Sequence, residues 1–280
     1  MKIQIKKYSK LLMMFTLVLS LKSCDDFVNV DGPNSQLTTP EVFEDALTAT
    51  VALTDIYAKM RENGFVSGRP NGFICLAGTY SDDLVSYEIG NSTSESFFNN
   101  SLLSTTPSIN TLWRNSYSQI YAANSVIEGV NNSSNLSESV KNQIRGEALF
   151  IRAFLHFHLM SVFGDIPYIK TTDYRANSTV TRLSTELVFQ ELISDLETAI
   201  DGVNATYIDS GRTRPNKAAI QAFLARVYLY HGDYAEASNM ASAVLNATSV
   251  YQLETNLDME FLKQSRATIW QLSPGAASAN

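Results

Sequence analysis

Cysteine, histidine and paired acidic residues are the side chains in this chain that could do chemistry, and they are few. Its two cysteines are Cys24 and Cys75. Exported chains usually pair their cysteines, so a Cys24–Cys75 disulfide is the simplest use of them. His156 and His158 stand two residues apart. On a helix that spacing turns the second ring about 200° from the first, so they point apart and suit a core better than a metal. Neither an HExxH pattern nor a Cys–His spacing accompanies them. His231 precedes Gly232, and is expected to face the carbonyl end of a helix dipole. Asp25–Asp26, Asp82–Asp83 and Asp195 with Glu197 are acidic neighbours. A glycosidase needs two carboxyls facing each other across a cleft, and adjacency in sequence supplies no such pair. GxSxG, phosphate-loop and dinucleotide patterns are absent from the sequence. The residues name no catalytic group, no metal site and no cofactor, and the expectation is a binding protein.

Four aromatic residues are candidate ligand contacts. Tyr80, Tyr87, Phe97 and Phe98 lie among polar residues in a glycine-broken segment. An aromatic face on a loop can stack on the apolar face of a sugar ring while nearby Asn and Asp bond its hydroxyls. The competing role is a lid over the core, since aromatic rings supply much core energy.

The amino terminus addresses the chain. Lys2, Lys6, Lys7 and Lys10 form a basic leader, and Leu11 to Leu21 is an almost wholly apolar run. That layout is a secretory signal, and the run is shorter than the roughly 20 apolar residues a membrane span needs. Leu21-Lys22-Ser23-Cys24 resembles a lipobox, with Lys22 departing from the usual small residue. Lipidation of Cys24 is the preferred expectation over the disulfide; Cys75 would then be a buried small hydrophobe. The formal charge is −7. Residues 1–23 hold five lysines and no acid, so cleavage would leave −12. So acidic a body argues against binding nucleic acid through phosphates.

These residues need elements to position them. Residues 24–39 are polar and carry Gly32 and Pro33, which suits a tether. From residue 40 to 280 a helical domain is expected. Thr39-Pro40-Glu41 reads as a helix start, with Phe43, Ala46, Leu47, Thr50, Val51, Thr54, Tyr57 and Met60 on one side. Residues 64–109 read as long loops with a short helical turn. A helix follows through Trp113 to Val130. Ser137 to Phe163 is apolar nearly all round, a central buried helix ending at Gly164. Ser184 to Asp201 forms another helix. Pro215–Tyr230 and Tyr234–Leu245 form a hairpin of tetratricopeptide length, with Asp233 and Glu236 as a capping box. The fold class expected is all-α: an α-superhelix with tetratricopeptide-like hairpins and long loop insertions.

Several segments together resemble the SusD/RagB family. They are Arg145–Pro167 (RGEALFIRAFLHFHLMSVFGDIP), Trp113–Asn124 (WRNSYSQIYAAN), Ile193–Ala199, Arg212–Ala219 (RTRPNKAA), Leu224–Tyr230, Gly232-Asp233 and Thr268–Gln271 (TIWQ). The resemblance implies an outer-membrane, surface-exposed lipoprotein that binds a nutrient, usually an oligosaccharide. It further implies a SusC-like TonB-dependent transporter as partner, with no bond made or broken. No motif residue carries over as a ligand contact. Members of the family commonly run well beyond 280 residues, so the helical domain is expected to be incomplete at its carboxyl end. A tetratricopeptide-like lipoprotein that binds protein or peptide is the alternative.

Overall fold

The structure is a computed structural model that describes residues 39–87, 90 and 92–273. The leader, Cys24 and the tether up to residue 38 lie outside the described residues. A single turn, α1 (Thr39–Val42), opens the description. The sequence ran this turn straight into the next helix, but residues 43–45 break the run. Asp45 starts α2 (Ala46–Glu62) instead, its carboxylate accepting the N–H groups of Leu47 and Thr48. Such a cap stabilises a helix by about 1 kcal/mol.

The break rotates the helix relative to the expected face. Ala49, Leu53, Ile56, Tyr57 and Met60 are the buried residues of α2. Leu47 and Val51, expected inside, are 72% and 57% exposed. Phe43 reaches the core from the break, its ring against Gly129, where a Cβ would stand only 2.1 Å away.

Residues 64–109 hold more helix than expected: α3 (Phe73–Tyr80) and α4 (Ser92–Phe98). Glycines on either side hid them from a periodicity argument. Next come α5 (Pro107–Asn132) and α6 (Glu138–Phe163). A short turn, α7 (Tyr174–Asn177), precedes α8 (Thr185–Gly202), and α9 (Lys217–His231) and α10 (Tyr234–Leu245) are the last α-helices among the described residues. Ser137, Ser184 and Asn216 cap α6, α8 and α9 with side-chain oxygens. Asp233 caps nothing with its side chain; its carboxylate takes His231 Nδ1 at 2.7 Å instead.

The helices pack in chain order, α2 on α5, α5 on α6, α6 on α8, α8 on α9 and α9 on α10. Serial packing of antiparallel pairs is the logic of a helical solenoid. The expected all-α architecture is therefore the one observed, and among the described residues no strand forms beyond one isolated bridge, Ile166 to Leu183. Helix α6 sits at the centre, with Phe150, Ile151, Ala153, Leu155 and Leu159 at 1% exposure or less. It approaches α8 closely at a pair of glycines. A Cβ on Gly146 would meet Val203 at 2.8 Å, and one on Gly202 would meet the Asn142 carbonyl at 2.7 Å. No described helix is long and apolar enough to cross a membrane.

Candidate functional site

The polar residues of the sequence motifs turn inward. Arg152 of α6 makes two 2.7 Å bonds to Asp195 of α8. Tyr168 donates to Asp195 at 2.6 Å, and Arg152 also donates to Asn124 of α5 at 2.9 Å. Arg214 donates to Glu147 at 3.0 and 2.6 Å. Tyr57 of α2 and Gln143 of α6 bond the same carboxylate at 2.9 and 2.7 Å. Burial, and then the neighbouring carboxylate, push the Tyr57 and Tyr168 hydroxyls well above the usual phenol range. They therefore stay protonated donors. These two clusters cross-tie helices, and Tyr57 and Arg214 of the second also line a cavity of about 340 Å³. Glu197, the neighbour of Asp195, accepts from Tyr228 at 2.9 Å, so the two carboxylates serve different partners.

The histidines are structural as well. His156 accepts the Ile169 N–H on Nε2 at 3.1 Å and bonds the Arg152 carbonyl through Nδ1 at 2.8 Å, which places its proton on Nδ1. His158 has an Nε2 shut off from solvent with no partner, and its ring lies parallel to Phe65 at 5.7 Å. Burial lowers His156 to about 3 and His158 to about 4. Both then resist protonation in the fold but accept it in the unfolded chain, so stability falls as pH drops from about 6.5 toward 3. His231 has the opposite sign. It bonds Asp233 and Glu186 at 2.7 and 3.1 Å rather than facing helix carbonyls, and these bonds, Asp233 first, raise its pKa. Its contribution is present below the unfolded value and fades as pH rises through the folded one. Urea midpoints measured from pH 7 to 4 should fall, and His158→Leu should flatten that fall; an unchanged slope in the variant would contradict the assignment. Among the described residues, no group of three or more His, Cys, Asp or Glu could hold a metal.

The open chemistry is in a cleft of about 660 Å³ between the end of α2 and the start of α5, closed by the 63–72 loop, α3 and α4. Gly64, at φ +94°, leaves α2, and its carbonyl accepts from Phe73 at 3.1 Å to close the loop. Gly72 lies so close to Ser67 that a Cβ would stand 2.1 Å from the Ser67 carbonyl oxygen. Phe65 anchors the loop in the core at 2% exposure. Gln119 of α5 donates to the Asn63 carbonyl at 3.1 Å. The loop thus holds Asn63, Arg69 and Asn71 on one side of the cleft, opposite Ser108, Thr111 and Asn115 on successive turns of α5.

Of the four candidate aromatics, Phe97 lines this cleft, whereas Tyr80, Tyr87 and Phe98 are outside its lining. Phe97 is 4% exposed and stands edge-on to Tyr80 at 6.4 Å, so no free ring face remains for stacking. Tyr80, Tyr87 and Phe98 are 47%, 88% and 37% exposed. Cys75 is half-buried rather than buried, its thiol free and donating to the Gly68 carbonyl at 3.3 Å. Cys24 is outside the described residues. The amide and hydroxyl residues of the cleft were missed by sequence reasoning, since isolated Asn, Ser and Thr carry no spacing signal.

Known proteins supply the frame for this geometry. A family model described as SusD-like, "Starch-binding associating with outer membrane", matches residues 26–229. SusD-like protein P2 of Formosa agariphila is 27% identical over 266 residues, 94% of this chain and 51% of that protein. SusD-like protein P38 of the same organism is 27% identical over 260 residues, covering 90% and 48%. The chain thus spans about half the length of these curated relatives. Among solved structures, a SusD superfamily protein from Bacteroides vulgatus superposes with a TM-score of 0.70 at 22% identity, over 82% of this chain and 50% of that one. A laminarin-binding SusD-like protein does so at 0.64 and 22%, covering 76% and 47%. With most of its length matched by the family model and its helices superposing on solved members, the chain belongs to the SusD-like family.

Proposed function

We propose that this chain is the glycan-capturing part of an outer-membrane lipoprotein that binds an oligosaccharide and performs no chemistry on it. The cleft carries the reading. It sets the amide and hydroxyl side chains of Asn63, Asn71, Ser108, Thr111 and Asn115 on its walls, a set of hydrogen-bonding groups that suits the hydroxyl edges of a sugar ring. The family description and the laminarin-binding relative support the ligand class. The leader and Cys24 support a lipid anchor at the cell surface. A SusC-like TonB-dependent transporter is the partner the family resemblance supplies, with the captured glycan handed to it.

Calorimetry on the full chain with a panel of oligosaccharides tests the binding. Asn115→Ala with Asn71→Ala should weaken the best ligand about tenfold or more, since each removes a hydrogen bond worth about 1 kcal/mol. Tyr87→Ala, outside the cleft, should change affinity less than threefold. Absence of binding across the panel, or product formed from any glycan, would overturn the proposal. Mass spectrometry of the membrane-extracted protein should find a diacylglyceryl group on Cys24.

The hairpin α9–α10 favours the second reading, a protein- or peptide-binding surface. It exposes Leu229, Tyr230, Tyr234 and Leu245 at 53% to 69%. Loss of a protein partner on Tyr230→Ser and Tyr234→Ser, with no glycan bound, would support it.

A further inference from the structure

A buried amide ties the two walls of the cleft together. Asn63 ends α2, its N–H bonding the Lys59 carbonyl at 2.9 Å. Its own carbonyl accepts from Gln119 Nε2 at 3.1 Å, across 56 residues of sequence. Gly64 then turns the chain, at φ +94°, into the loop that carries Arg69 and Asn71. Gln119 stands four residues after Asn115 on α5, so the two share a helix face. Asn115 lines the cleft, whereas Gln119 lies outside its lining at 3% exposure. A Cβ on Gly64 would lie 3.7 Å from both polar atoms of the Gln119 amide, which sets that amide against the turn.

The other half of the amide is not satisfied. Gln119 Oε1 is shut off from solvent and has no hydrogen-bond partner. Stranding a buried carbonyl oxygen is unfavourable, and an apolar side chain of the same size would avoid it. The bond that Nε2 makes is also replaceable, because Asn63 is exposed and water can bond its carbonyl instead. A glutamine here therefore adds little to the stability of the fold. What it fixes is the placing of the loop. The loop's own bonds, Gly72 N–H to the Arg69 carbonyl at 2.7 Å and Phe73 N–H to the Gly64 carbonyl at 3.1 Å, set its shape but not its distance from α5. Phe65 holds it to the core without direction, as apolar contacts do. The Gln119 bond supplies the direction.

We infer that Gln119 is a positioning residue for glycan capture: its amide holds the 63–72 loop so that Asn63 and Asn71 face Asn115 before a sugar arrives. This rests on the glycan-capture reading above. Walls ordered in advance spare the complex the cost of ordering them, so Gln119 contributes to affinity without touching the sugar.

Gln119→Leu and Gln119→Met, each in the full chain, test this by calorimetry with the tightest-binding oligosaccharide of the panel, thermal melts and hydrogen exchange. The unbranched Met covers the case in which a branched side chain alone disturbs the packing. Affinity should fall by about threefold or more, with a melting point no more than about 3 °C below the parent's. Exchange over residues 63–73, without sugar, should quicken by about threefold or more while α6 keeps its protection. Melting points that fall further in both variants would make Gln119 a structural residue and overturn the inference. A smaller change in affinity, or in exchange over residues 63–73, would overturn it too and leave glycan capture standing. A parent chain that binds no glycan of the panel would overturn both.

Discussion

Arg152→Ala is expected to lower stability by about 3–5 kcal/mol, the usual result of stranding one member of a buried ion pair. Arg152 and Asp195 are 5% and 6% exposed, and the pair joins α6 to α8. Without the guanidinium, Asp195 keeps only the 2.6 Å bond from Tyr168, and Asn124 loses its 2.9 Å donor. Three helices would loosen at once. For a chain of this size the loss corresponds to a melting point lower by about 6–20 °C. Removing both charges with Arg152→Met and Asp195→Leu should recover much of the deficit, because the pair's own net contribution is small against its desolvation. Thermal melts of the single and double variants check this. A single variant within 1 kcal/mol of the parent would show that the pair is solvated in solution.

The second large effect belongs to Phe150. Its ring, 1% exposed, lies 5.8 Å from Phe154, 5.8 Å from Phe223 and 5.2 Å from Trp270. It is where the central helix α6 meets α9 and the segment that returns through Trp270. Trp270 in turn donates to the Thr213 carbonyl at 3.1 Å and stands edge-on to Tyr57. Phe150→Ala should therefore cost about 3–5 kcal/mol, combining lost burial with a cavity that crowded rings cannot refill. Phe150→Leu should cost clearly less. Urea denaturation gives both values, and near-ultraviolet dichroism should lose the Trp270 part of its Trp signal in the Ala variant, with the Trp113 part kept. A cost below about 1 kcal/mol would mean that the ring cluster repacks freely.

The long helices were legible because each announces itself twice, by an apolar pattern and by its ends. Ser137 opens α6 and Gly164 closes it, and both were visible as residue types. The face of α2 was not legible. Leu47 and Val51 look like core residues, yet the break at 43–45 restarts the helix at Asp45 and moves Ala49 and Leu53 inward. The apolar pattern did not report the break, at which Asp45 caps the new helix and Phe43 packs on Gly129. The capping role expected of Asp233 failed for a similar reason: His231, two residues earlier, competes for its carboxylate and wins. Helices α3 and α4 were hidden by the glycines that shape the cleft.

The candidate site was the least legible part. Aromatic residues drew attention by type, but their exposure depends on packing, which turned Phe97 inward and left Tyr87 outside the cleft. The residues that line the cleft come from separate stretches: 62–71, Leu76, Thr93 with Phe97, and 107–115. Only folding brings them together. The motif residues Glu147, Arg152, Asp195 and Arg214 were the most recognisable in the sequence, and their ion pairs tie the helices together.

A crystal structure of the full chain soaked with its tightest-binding oligosaccharide decides whether the cleft is the glycan site. Sugar density is expected in the cleft, within hydrogen-bonding distance of Asn71 and Asn115. Density seated elsewhere, on the α9–α10 hairpin or around the exposed Tyr87, with the cleft empty, would contradict it.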